Sequence, residues 1–317
     1  MTIQFMEPLS RAWNRMKIAL FRPFDIHKWF VIGFNAFLAG LMDAANGSGG
    51  GRGGNGGNFD EFIHFPRTAW AWLMDNPGWA IAILFLSVVA IVIGVVLTWA
   101  GSRGVFMFLE SVVHDRVEIA KPWREYRKEG NSLFVWRLLF GLVCIALFAG
   151  LVAWFFIQGA ALYDAGHSRA FPIALVISMG LLALVFVLIC GYISLFLKDF
   201  VAALMYKNRI SASEAWKIFM GLFGKHAFHF LGYGVLLFLL MLGFVFVVIV
   251  AGLVTCCIGW LLLVIPYIGT VVTLPFWYTL RAFSLEFLAQ FGPEYNVFPL
   301  PAVPPNLAPA MPAGPGA

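Results

Sequence analysis

An all-α membrane protein with six transmembrane helices, paired as three hairpins that each follow a short amphipathic helix, is what this sequence predicts. Composition is the first reason. Of 317 residues 61% are hydrophobic and 12% charged, and the mean hydropathy is +0.86, outside the range of soluble domains. Long apolar runs are the second, because a helix is the one open-chain structure that satisfies its own backbone in lipid. The third is the placement of cations. Eighteen of the 21 lysines and arginines fall in or at the edge of alternate gaps between the runs: five before the first (Arg11, Arg15, Lys17, Arg22, Lys28), then two, seven (counting Arg137, just inside the next run), one, five and none, with Arg281 last. Lys and Arg accumulate in cytoplasmic loops. Both termini and the basic gaps are therefore expected inside the cell, with the chain in the cytoplasmic membrane.

The first run, 28–44, is short, and charge assigns it as a span: if it did not cross, the basic N-terminus and the basic 101–128 stretch would lie on opposite sides. Residues 1–28 are too polar for a secretory leader, and Asp43-Ala44-Ala45 is a poor cleavage site, so this span is expected to stay. The glycine-rich 46–58 lacks the Lys-Ser/Thr ending of a phosphate-binding loop and reads as a flexible outer linker. Further spans are predicted at 78–100, 133–158, 171–197, 227–254 and 258–281, the last bent by Pro266 and Pro275. Residues 1–291 make a single polytopic domain, and the Pro/Ala-rich 292–317 is expected to be a disordered tail.

Within that domain the pattern repeats, over about 8–110, 111–200 and 205–291. Each copy opens on an amphipathic segment with an early tryptophan (Trp13, Trp123, Trp216) and enters a span behind an aromatic (Trp29, Trp136, Phe228). In the first segment Leu9, Trp13, Met16 and Leu20 form a stripe with Arg11, Arg15 and Arg22 opposite. In the third, Ser211 and Glu214 fit a capping box, and Trp216, Phe219, Met220 and Phe223 share a face. Such helices lie at a membrane surface, aromatics among the headgroups and cations near anionic lipid; Trp13, Trp29, Trp123, Trp136 and Trp216 are the expected interfacial anchors. Each even span ends in a similar phrase with one acid: FMFLESVV, LFLKDFVAALMY and AFSLEFLAQF. Two spans per copy keep all copies the same way up, a parallel repeat about the membrane normal.

Ionisable groups near spans are costly and mark candidate sites. These are Arg103, Glu110, Lys198, Asp199, Arg281 and Glu286. Arg103 and Glu110 share a helix face, whereas the neighbours Lys198 and Asp199 should diverge. Convergence of the six on the repeat axis would make an ion or headgroup site. Separate interfacial ion pairs would make a structural one, which their position at span ends favours. Small pairs at four-residue spacing (Ala90/Gly94, Ala100/Gly104, Ala146/Gly150) suit close helix contact. Cys144 and Cys190 read as packing residues, and Cys256-Cys257 lacks CxxC spacing. His226 and His229 lack the further ligands of a metal site and read as aromatic packing. No nucleophile, paired-carboxylate or zinc signature is present, so neither catalysis, cofactor nor metal is expected. Nor does any basic-aromatic stripe suggest nucleic acid.

HKWFVIGFNAFLAGL, GSRGVFMFLESVV, LKDFVAALMYKNRISASEAW and LRAFSLEFLAQFGPEYNVF together resemble an uncharacterised family of prokaryotic six-span membrane proteins. That family looks related to the membrane domain attached to some glycerophosphodiester phosphodiesterases. The likeness covers most of 8–298, and the soluble catalytic barrel of those enzymes is absent from this sequence, so it implies no hydrolase activity and carries over no catalytic residue. The expected role is non-enzymatic: membrane organisation or lipid interaction, with anionic headgroups as partners. The alternative is a small transporter or channel built on the acidic and basic groups at the even helix ends.

Overall fold

The computed structural model describes residues 3–47, 59–164, 173–255, 259, 262–263 and 265–299, and every element among them is helical. In chain order they are α1 (Met6–Phe21), α2 (Ile26–Gly47), α3 (Phe59–Asp75), α4 (Pro77–His114), α5 (Ala120–Glu125), α6 (Arg127–Asp164) and α7 (Ile173–Phe196). A π-helical turn (Leu197–Val201) joins α7 to α8 (Ala202–Asn208); α9 (Ala212–Val254), α10 (Pro266–Val272), α11 (Leu274–Ala289) and a 3-10 turn (Pro293–Tyr295) follow. Among the described residues four helices are long and apolar enough to cross a membrane: α4, α6, the continuous α7–α8 and α9. The chain is an all-α membrane protein.

Three of these contain the spans predicted at 78–100, 133–158 and 227–254, and α7–α8 contains 173–197 of the span predicted at 171–197, whose first two residues lie outside the described residues; each helix runs beyond its predicted span at one end or both. The apolar part of α2, Ile26–Leu41, is shorter. The run predicted as a sixth span is broken at Thr273 into α10 and α11, and part of it (258, 260–261, 264) lies outside the described residues. Here Pro266 and Pro275 start helices instead of bending one. Each sits in a first turn, where a missing N–H costs nothing, while Pro275 cannot continue α10 because its ring would meet the carbonyl of Val271.

The third amphipathic segment and the fifth span fuse into α9, with non-helical backbone only at His226 (φ −134°, ψ 31°). Its start is the predicted capping box: Glu214 N–H donates to Ser211 Oγ at 3.4 Å, and Ser211 N–H donates to Glu214 Oε2 at 2.9 Å. Ser211→Ala should therefore cost about 1 kcal/mol in a thermal or denaturant unfolding titration. α3 lies in a stretch for which no helix is predicted; it leaves Phe65, Trp70, Trp72 and Met74 exposed.

The core sits at one end of the bundle, hereafter the packed end. Val105–Leu109 of α4, Leu197 and Phe200–Met205 of the π-turn and α8, and Ala282–Leu288 of α11 are buried there, with Ala12, Met16 and Leu20 of α1 and Ala215 and Phe219 of α9. These are the three even-span phrases of the sequence, brought together with two amphipathic segments. Phe200 lies 5.0 Å from Phe230, 4.8 Å from Tyr233 and 6.0 Å from Phe287 between ring centroids, which ties α9 and α11 to the π-turn. By contrast no described residue in the 18-residue apolar windows of α4 and α7–α8 is buried, against 6% in α6 and 11% in α9, so the apolar surface of the spans faces outward to lipid.

One close approach fixes α2 on α4: a Cβ on Gly104 would lie 2.5 Å from Leu38 Cβ and 2.6 Å from the Leu38 carbonyl carbon. Gly94 and Gly150, expected to serve similar contacts, have open space where a Cβ would point. The thiols of Cys144 on α6 and Cys190 on α7 stand 3.3 Å apart, a pairing the sequence did not reveal. A membrane-permeant oxidant should join them, removing two hydrogens and blocking alkylation of both, and Cys144→Ser should abolish the link; intact-mass spectrometry reads this. Cys256-Cys257 lies outside the described residues.

The tail also differs from expectation over its first residues. Val297 and Phe298 are buried, Arg15 stacks 3.7 Å over the Phe298 ring, and the Lys207 ammonium donates to the Pro293 and Glu294 carbonyls at 3.1 and 2.6 Å. Arg15 of α1 and Lys207 of α8 thus hold residues 293–298 against the packed end. Residues 300–317, like 48–58 of the glycine-rich segment, lie outside the described residues.

Candidate functional site

The six candidate charges do not meet at one point. The hydrogen bonds and ion pairs of Glu110, Asp199 and Glu286 run to three separate sets of partners. Glu110, 4% exposed near the end of α4, accepts from the hydroxyls of Tyr126 at 2.9 Å and Tyr206 at 2.5 Å, and Arg116 reaches its other oxygen at 3.2 Å. His114 Nδ1, one turn on, is 3.3 Å from the carboxylate and 3.0 Å from the Tyr206 hydroxyl. Tyr126 stacks between Phe106 and Tyr206, with the Arg209 guanidinium 3.9 Å from its ring centroid. Burial above all, opposed by the Tyr206 hydroxyl and reinforced by the Glu110 carboxylate, pushes the Tyr126 hydroxyl well above its ordinary range, so it stays a donor. Burial works against the Arg209 cation, yet its bond to Glu125 and the nearby Glu129 hold it above its ordinary value.

Glu286, on α11, takes Arg15 Nε at 2.5 Å and Arg11 Nε at 3.5 Å, so α1 docks on α11 through the cations predicted to face lipid. The reason lies in the stripe. Met16 and Leu20 are buried as expected, but the face rotates toward Ala12 and Ala19, leaving Trp13 49% exposed. The Arg103 guanidinium does not pair with Glu110. It lies 4.4 Å from the Trp99 ring and 5.0 Å from the Trp123 ring and donates to Asn131 at 3.0 Å.

The remaining three candidates converge. Arg281, 4% exposed, donates through Nη1 to the Lys198 carbonyl at 2.7 Å and to Asp199 at 3.4 Å, and Tyr233 donates to Asp199 at 3.0 Å. Lys198 and Asp199 do not diverge as neighbours on an α-helix would. They stand on the π-turn, whose wider coil rotates successive side chains less, and with Arg281 they line one cavity of about 570 Å³. Lys198 Nζ lies 6.0 Å from the Trp277 ring in its wall. Among the described residues no three His, Cys, Asp or Glu side chains gather as a metal would require. His226 and His229 stand edge to face at 6.0 Å, with His226 against Phe291.

Four of the five expected anchors are packed side chains. Trp29 donates to the Leu20 carbonyl at 2.8 Å, Trp136 and Trp216 stack at 5.2 Å, and Trp123 meets Trp99 edge-on at 5.6 Å. On the third segment's face Phe219 is buried while Met220 is 52% exposed. Sequence reasoning missed Tyr126, Tyr206 and Tyr233, the hydroxyls that hold Glu110 and Asp199. The sequence reading missed His114 as well, although its i+4 spacing from Glu110 is a local signal that could have found it.

No curated protein and no solved structure matches this chain. A family model does, over residues 4–298, from before α1 to past the 3-10 turn. The chain therefore belongs to DUF7544, a family of unknown function.

Proposed function

We propose that this is a non-enzymatic protein of the cytoplasmic membrane that binds anionic lipid at its packed end. In this reading the chain crosses six times, with both termini inside, and α10–α11 complete the third hairpin. The observation that carries it is the coincidence of the packed end with the basic gaps: α1, the α4–α6 connection, the start of α6, α8 with its C-cap Arg209, and the start of α9 all lie there, and together they hold twelve of the 21 lysines and arginines. Lys17 of α1, Arg22 at its C-cap, and Lys121 and Arg124 of α5 remain exposed, outside the buried networks and placed for headgroups. The three even-span phrases meeting in one core support the threefold repeat, and the quoted phrases support kinship with the phosphodiesterase-linked membrane domain. A transporter drawing on Glu110, Asp199 and Glu286 together finds no support in their separate partners.

Native mass spectrometry of the full chain, titrated with phosphatidylglycerol and phosphatidylcholine, tests the lipid reading. The anionic lipid should be retained in preference, and Lys17→Gln with Arg22→Gln should lower that retention several-fold. Equal retention of both lipids defeats the proposal. Labelling of single cysteines from either side tests the topology: reactivity of residue 10 from the outer face would overturn it.

A further inference from the structure

We infer that the cavity walled by α2, α7, α9, α10 and α11 binds one anionic amphiphile, its acidic headgroup at Lys198 and Arg281 and an acyl chain in the apolar remainder. This rests on the lipid-binding reading and names the site within it. At about 570 Å³ the cavity lies in the range of small-ligand sites, mainly apolar with a few placed polar groups. Its polarity is divided. Lys198, Asp199 and Arg281 occupy the side toward the packed end, while Phe37, Leu237 and Met241 wall the rest. Two cations against one carboxylate leave that side with a formal charge of +1.

Charges on membrane helices are expensive, and groups retained there generally face a binding site or pathway. These are also prearranged. The Lys198 carbonyl and Asp199 orient Arg281, Tyr233 orients Asp199, and the π-turn brings the adjacent Lys198 to the same wall; such turns recur at functional sites. Two glycines stand in its wall. Gly40 and Gly191 line it, and a Cβ on either would meet no atom within 4 Å. Because the spans bury so little of their apolar surface against one another, an acyl chain can enter sideways from the bilayer. The cationic side is level with the packed end, so the headgroup would come from the cytoplasmic leaflet.

The test is a native mass spectrometry titration of the full chain in neutral detergent with four probes: phosphatidylglycerol, phosphatidylcholine, oleate and inorganic phosphate. One phosphatidylglycerol or oleate per chain should resist dissociation, and which of the two binds tighter identifies the source of the amphiphile. Lys198→Gln should weaken this binding at least tenfold by removing charge. Gly191→Phe should do so by filling the cavity, with Gly40→Phe as a second filling variant should the first not fold. Retention unchanged in both the charge and the filling variants overturns the assignment, as does inorganic phosphate binding as tightly as the lipids. A wild-type chain that never prefers phosphatidylglycerol to phosphatidylcholine instead defeats the lipid reading itself. A preference that survives Lys198→Gln and the filling variants defeats only this cavity.

Discussion

Glu110→Ala should destabilise the protein by about 2–4 kcal/mol, since it strands two buried tyrosine hydroxyls at roughly 1–3 kcal/mol each and His114 can take up only part of the loss. Tyr126 and Tyr206 are 5% and 6% exposed, so water does not easily replace the carboxylate. Arg116 adds little, because its side chain is 46% exposed and can turn to solvent. Glu110→Gln keeps an acceptor of the same shape and should lose roughly half as much. Glu286→Ala is the instructive contrast. Its partners Arg11 and Arg15 are 48% and 45% exposed, so the loss should stay under about 1 kcal/mol although Glu286 itself is buried. Thermal or denaturant unfolding of the purified variants ranks the three. A Glu286→Ala loss equal to that of Glu110→Ala would show that the tyrosine network contributes nothing special.

That contrast also explains what could be read in advance. Glu110, Asp199 and Glu286 stand out in the sequence because a carboxylate at the end of an apolar run is locally conspicuous. Their partners are not conspicuous. Arg15 is 271 positions from Glu286 and Tyr206 is 96 from Glu110, and nothing in either segment marks the pairing. Hydropathy gave the four long helices because burial in lipid depends on each run alone. At 258–281 it did not foresee the break at Thr273, because helix continuity there depends on Pro275 and its carbonyl neighbour, a backbone matter that hydropathy ignores. The capping box at Ser211 was legible for the opposite reason, being a contact between residues three apart. The π-turn could not be foreseen. It places Lys198 and Asp199 on the wall of one cavity, and that cavity has no sequence signature.

Gly104→Leu should be the most disruptive single change in the apolar part of the fold, and Gly104→Ala already harmful. A methyl group there would sit 2.5–2.7 Å from Leu38 Cβ, the Leu38 carbonyl carbon and the Ala39 nitrogen. Two of those three atoms are backbone, so no rotamer change relieves the clash and α2 must move off α4 as a body. Overpacking of this kind costs about 1–3 kcal/mol for one added methyl and more for a larger side chain. Small residues permit such contacts between membrane helices, where van der Waals packing replaces the hydrophobic effect as the force of association. Gly94→Ala and Gly150→Ala supply the control. Their added methyl groups meet no atom within 4 Å, so both variants should unfold at or above the wild-type midpoint. Detergent-solubilised protein followed by thermal unfolding should then give Gly104→Leu lowest, Gly104→Ala next, and the two controls level with the parent. If Gly104→Ala matches Gly94→Ala, α2 does not pack on α4 at this depth, and the wall that α2 gives the cavity through Ala36 and Gly40 is lost with it.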